Sequence, residues 1–144
     1  MFVFGKPDES RFGHPAKITA EGGTNTPSRA FAEHDAVTLS LFVSRAVCAY
    51  GASLLLYDGK ETGTPPVLSR QSAIYQGLKD GYDVYSLTVT PNIGLYFFVF
   101  EILTAYGIRY TSEEQPGIAC LCEHPDHGIK SQFLVNLSRN RFAS

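Results

Sequence analysis

From residue 36 onward the chain is organised by short alternations of apolar and polar side chains. Val37, Leu39, Leu41 and Val43 are interleaved with Thr38, Ser40 and Phe42, a period of two that predicts a strand with one buried face. Ser53-Leu54-Leu55-Leu56-Tyr57 is a short apolar run closed by Asp58-Gly59, and its length together with that turn dipeptide predicts a second strand. Thr64-Pro65-Pro66-Val67-Leu68 reads as a short edge element, where proline is tolerated, and Gln71 to Lys79 as a loop. Between Tyr82 and Thr90 the alternation returns, with Asp83, Tyr85, Leu87 and Val89 on one face and Tyr82, Val84, Ser86 and Thr88 on the other. The turn residues Pro91-Asn92-Ile93-Gly94 and the run Leu95 to Leu103 follow, which predicts a β-hairpin.

That last run is apolar on both faces: Tyr96, Phe98, Phe100 and Ile102 on one, Leu95, Phe97, Val99 and Leu103 on the other, with Glu101 its only charge. A strand of this kind is covered on both sides. Ile108-Arg109-Tyr110 predicts a short continuation, Thr111 to Ser131 a polar loop, and Phe133 to Leu137 a final strand. About seven short strands without an amphipathic helix predict an all-β, immunoglobulin-like β-sandwich over residues 35–144. The first 34 residues, rich in Gly, Pro, Ser, Thr and Asn, read as a loosely structured N-terminal arm contributing at most an edge strand near Lys17-Ile18-Thr19.

Composition narrows the function classes. A chain of 144 residues with 44% hydrophobic residues suffices for one core without disulfides or metal, and it is too short for a catalytic barrel of roughly 250 residues. Twelve basic and fourteen acidic residues give a net charge of −2 with no basic run, which argues against a nucleic-acid surface. No stretch is apolar and long enough to span a membrane as a helix. Three cysteines, Cys48, Cys120 and Cys122, make a disulfide framework an unsuitable reading. Together with the lack of a visible signal peptide, they point to a cytoplasmic rather than a secreted protein.

Four segments carry a family resemblance: Ala36-Val37-Thr38-Leu39-Ser40-Leu41, Leu54-Leu55-Leu56-Tyr57-Asp58, Gly81 to Val89, and Gly94-Leu95-Tyr96-Phe97-Phe98-Val99-Phe100-Glu101-Ile102. Their order resembles the N-terminal immunoglobulin-like, starch-binding-module-like domain of α-amylase-family glycoside hydrolases of the neopullulanase, maltogenic amylase and cyclomaltodextrinase type. The most specific part is Tyr82-Asp83-Val84-Tyr85 followed, after a Pro-Gly turn, by Tyr96-Phe97-Phe98-Val99-Phe100. The resemblance implies a non-catalytic domain preceding a catalytic barrel in the same polypeptide. It also implies a role in docking, homodimerisation or guidance of an α-glucan. The competing expectation is a free-standing immunoglobulin-like interaction module without carbohydrate function.

Candidate chemistry is sparse. No catalytic residue and no cofactor is expected in this chain. The carboxylate pairs Asp80 with Asp83 and Glu113 with Glu114 read as solvated surface, and neither a nucleophile elbow nor a glycine-rich phosphate loop is present. Sugars stack on exposed aromatic rings, and Tyr75 and Tyr82 are the candidate platforms. Leu95, Phe97, Val99 and Leu103 form the candidate domain-docking surface; the alternative is that residues 1–34 cover it. Cys120, Cys122, His124 and His127 concentrate soft ligands, but a one-residue gap between the cysteines departs from the usual zinc spacing. The plainer reading is an extended segment with its thiols on one side and histidines on a loop.

Overall fold

The computed structural model describes residues 15–22, 29–59 and 67–137. They form eleven strands: β1 (Ala16–Glu21), β2 (Ala30–Ala32), β3 (Val37–Ser44), β4 (Ala49–Asp58), β5 (Val67–Ser72), β6 (Ile74–Lys79), β7 (Tyr82–Val89), β8 (Gly94–Thr104), β9 (Gly107–Gln115), β10 (Ile118–Cys122) and β11 (Ser131–Asn136). Among the described residues the one helical element is a 3-10 turn, Arg45–Val47. Among the described residues no helix is long and apolar enough to cross a membrane.

The strands make an all-β, immunoglobulin-like sandwich. One layer holds β5, β4, β8, β11 and β2; the other holds β10, β1, β3, β7 and β6. Strand β9 belongs to both: Gly107 to Tyr110 pair with β8, and Tyr110 to Gln115 pair with β10. Both layers turn one face to the same core. Val37, Leu39, Leu41 and Val43 fill it from β3, Leu54 and Leu56 from β4, Phe98, Phe100 and Ile102 from β8, and Phe133 and Val135 from β11. The period of two along β3 is complete, every odd position buried and every even one half-exposed, as one-faced burial requires. Phe98 and Phe100 meet edge to face at 6.0 Å, and Phe133 stacks on Tyr96 at 5.3 Å, both favoured ring geometries.

The second face of β8 is separately filled. Leu55, Tyr57 and Val99 form their own buried cluster with Phe97 and Tyr110, so the strand that is apolar on both sides is covered on both sides. Lys130 lies over the Tyr57 ring at 5.1 Å, bringing the end of the 123–130 segment onto this face.

Four expectations from the sequence need correction. Lys17-Ile18-Thr19 belongs to an interior strand rather than an edge or an arm: β1 pairs with β3 on one side and β10 on the other, and Ala16 and Ile18 are buried. Residues 1–14 and 23–28, most of the expected arm, lie outside the described residues, as do Thr64 to Pro66 of the expected edge element. The Pro91 to Gly94 connection is not a hairpin, because β7 already pairs with β3 and β6 while β8 pairs with β4, β9 and β11; it carries the chain from one layer to the other. Gln71 to Lys79 is not a loop but the end of β5 and all of β6. The expected polar loop after Thr111 contains most of β9 and all of β10. These additions bring about seven expected strands to eleven.

A tyrosine-lined groove beside a buried carboxylate

Strand register decides where Asp83 goes. Asp83, Tyr85, Leu87 and Val89 are paired opposite Val43, Leu41, Leu39 and Val37 of β3, so Asp83 occupies the first inward position of β7. It is 5% exposed, which corrects the expectation that it is a solvated surface acid. A buried carboxylate requires compensating partners. The Tyr75 hydroxyl donates to Asp83 Oδ1 at 2.7 Å, and Arg45 Nε lies 3.7 Å from Oδ2.

Each partner is delivered by a local irregularity. Tyr75 and Tyr85 are opposite one another across β6 and β7, their rings 5.2 Å apart and tilted by 53°. Beyond Tyr75 the register shifts, with Gln76 as the extra residue and Gly77 at φ 112°, a backbone conformation suited to glycine. On the facing side, Ser44 accepts a hydrogen bond from Ala46 N at the start of the 3-10 turn. That turn ends on Cys48 in the left-handed conformation. The register of β4 against β8 then shifts between Ala49 and Gly51, leaving Tyr50 as a bulged residue, 71% exposed. Bulges re-aim side chains in this way.

The result is an open groove of about 610 Å³ lined by Arg45, Cys48, Ala49, Tyr50, Tyr75, Asp83 and Tyr85. Two of its phenols are held against ionisation: the hydrogen bond to Asp83, then desolvation, raises the Tyr75 pKa, and burial followed by the Asp83 charge raises that of Tyr85. Arg45, Ala49 and Tyr50 are lining residues that sequence reasoning missed; for Tyr50 the reason is that a bulge leaves no mark on the alternation.

The remaining candidates are spread over the molecule. Tyr75 lines the groove, 49% exposed. Tyr82 does not line it; it is half-buried at the start of β7 with the Lys17 ammonium 4.6 Å from its ring centre. Among the docking residues, Val99 is enclosed within the chain itself, while Leu95, Phe97 and Leu103 are half-buried. In the described part of the N-terminal 34 residues, β1 and β2 are built into the sheets.

Cys48, Cys120 and Cys122 form no disulfide. Cys122 Sγ lies 3.4 Å from Tyr110 O and 3.2 Å from His124 O, and the His124 and His127 rings meet at 4.5 Å. Among the described residues, no three His, Cys, Asp or Glu side chains converge as a metal site would require. Of the second carboxylate pair, Glu114 is exposed. Glu113 is not: it is enclosed between Arg29, Gly117 N and Ser131, a correction to its reading as solvated surface.

No protein-family profile and no curated protein matches this chain by sequence. Its structure is similar to that of a cyclomaltodextrinase, with a TM-score of 0.53 and 11% sequence identity over 82% of this chain. The match covers 19% of the cyclomaltodextrinase, so the chain corresponds to about a fifth of the length of that enzyme. At this identity the likeness establishes a shared β-sandwich fold.

Proposed function

We propose that this chain is a non-catalytic accessory domain of an α-glucan-acting glycoside hydrolase of the α-amylase family, its catalytic barrel belonging to the same polypeptide. The observation that carries the reading is the asymmetry of the structural likeness: most of this chain matches a small part of a cyclomaltodextrinase. The resemblance of the Gly81 to Val89 and Gly94 to Ile102 segments to the N-terminal domains of such enzymes points the same way. Within that reading the domain docks, supports a dimer or guides the glucan. The half-buried Leu95, Phe97 and Leu103 are the docking candidates. Tyr75 is the better placed of the two sugar platforms, because it opens onto a groove with Tyr50 beside it.

The reading frame beyond Ser144 tests the parent enzyme. A barrel with paired carboxylates at strand ends is the expected result, and a stop codon there overturns the proposal in favour of a free-standing interaction module. Guidance of glucan is tested by retention of the chain on an immobilised malto-oligosaccharide. Retention that falls with Tyr75→Ala supports it, and a chain that is never retained confines the role to docking or dimerisation.

A further inference from the structure

The groove sets aromatic rings beside a buried charge. Its buried charged group is the Asp83 carboxylate, and its exposed rings are those of Tyr50 and Tyr75, whose faces carry negative quadrupole density; Tyr85 also lines it but is buried. The Tyr75 hydroxyl is committed to Asp83 at 2.7 Å. The Arg45 guanidinium is held loosely, at 3.7 Å and with its side chain 63% exposed. Aromatic faces beside a carboxylate are the recognition chemistry of organic cations.

We propose that this groove is a binding site for a compact alkylated ammonium group, held against the tyrosine rings and over the Asp83 carboxylate. Arg45 is then the resident cation that the ligand displaces. At 3.7 Å, and with the Arg45 side chain 63% exposed, the guanidinium can swing into water as the ligand's cation takes its place beside the buried Asp83, which keeps the Tyr75 hydroxyl. The bulge at Tyr50 gives the site its outer wall: a regularly paired residue would not leave that ring exposed beside the groove. The proposal does not depend on the glucan reading.

Three probes separate the alternatives in amide NMR titrations of the 144-residue chain: choline, its neutral carbon analogue 3,3-dimethylbutan-1-ol, and maltotriose. Choline is expected to shift the amides of Tyr75, Asp83 and Tyr85 saturably, with Kd on the order of 1–10 mM, the range open to a few cation–π contacts and one charge contact. The neutral analogue, matched in shape, is expected to leave them unmoved. Arg45→Met, by removing the competing cation, should tighten choline binding about threefold. Asp83→Asn should weaken it roughly tenfold or more. Should that buried variant fail to fold, Tyr50→Ala, an exposed change, is expected to weaken choline roughly fivefold with the fold intact. Absence of choline shifts, or equal shifts from the neutral analogue, overturns the proposal. Binding of maltotriose alone also overturns it, while leaving the accessory-domain reading standing.

Discussion

Removal of the Glu113 carboxylate tests how the ends of the chain are tied into the sandwich. Glu113 sits in β9 with 7% of its side chain exposed, and Arg29, just ahead of β2, is 17% exposed. Two guanidinium nitrogens reach the carboxylate, Nη1 at 2.9 Å and Nη2 at 2.7 Å. Gly117 N donates to it at 2.7 Å from the β9–β10 turn, and the Ser131 hydroxyl does so from the start of β11. Arg29 also donates to Ile18 O of β1 at 3.1 Å, so one ion pair joins four segments distant in sequence. Breaking a fully buried pair by deleting one partner costs about 3–5 kcal/mol, chiefly through the charge left behind. The residual exposure of Arg29 lets water reach it, which places Glu113→Ala near the lower end, about 3 kcal/mol. For a chain of this size that corresponds to a fall in Tm of roughly 6–12 °C. Urea unfolding of the wild type, both single alanine variants and the double variant gives the coupling directly. A loss below about 1 kcal/mol for Glu113→Ala, or strict additivity of the two alanine changes, would refute the reasoning.

Other expectations follow from packing and titration. Gly128→Ala should destabilise the chain, because the added methyl would lie 2.6 Å from Ser112 Oγ and 3.2 Å from Cys122 Sγ; a midpoint in urea equal to wild type would show that the 123–130 segment packs more loosely than described. Phe98→Ala removes a fully buried ring that packs against both Phe100 and Phe133, and should cost about 3–5 kcal/mol in the same assay. Five tyrosines, Tyr57, Tyr75, Tyr85, Tyr96 and Tyr110, have raised pKa values. For all but Tyr75 desolvation is the leading cause, and for Tyr75 it is the bond to Asp83. A raised folded value means that the unfolded chain releases its phenolic protons first. The associated stability is therefore complete below about pH 10, the ordinary tyrosine value, and declines as the pH rises through the folded values. Phenolate absorbance should lag behind that of the urea-unfolded chain; coincident titration curves would remove the effect.

The legible part of the fold was the part with a strong period. In β3 and β7 alternating large side chains identify both the strand and its inward face, and even the inward register of Asp83 was present in the pattern. Its charge argued for solvent, and nothing local announced that Tyr75 and Arg45 would meet it. Strand β1 alternates as well, Ala16 and Ile18 against Lys17 and Thr19, but it is short and two of its six residues are alanine, so the period carries little weight. Strand β9 is mostly polar, and the signal of the β9–β10 pair is the turn: Gln115-Pro116-Gly117, with Gly117 at φ 79°, is the chemistry of a tight reversal between strands. The connection after β7 misled for the opposite reason, since turn residues specify a reversal of direction and not which strand the chain will pair with next. The wall at Tyr50 was invisible because a bulge is a property of the pairing partner as much as of the residue.

Strand β9 carries a consequence for how the sandwich comes apart. Its first residues are hydrogen-bonded into one layer and its last into the other, and at the crossover the buried Thr111 hydroxyl accepts a hydrogen bond from Phe100 N at 3.0 Å. A ladder that continues without interruption from β2 to β6 leaves no seam along which one layer could open while the other stays closed. Loss of either layer strips β9 of half its partners and exposes Thr111 and its neighbour Phe100. The amides on the two sides of the core therefore share the same slow route to solvent, and the molecule opens as one unit rather than as two.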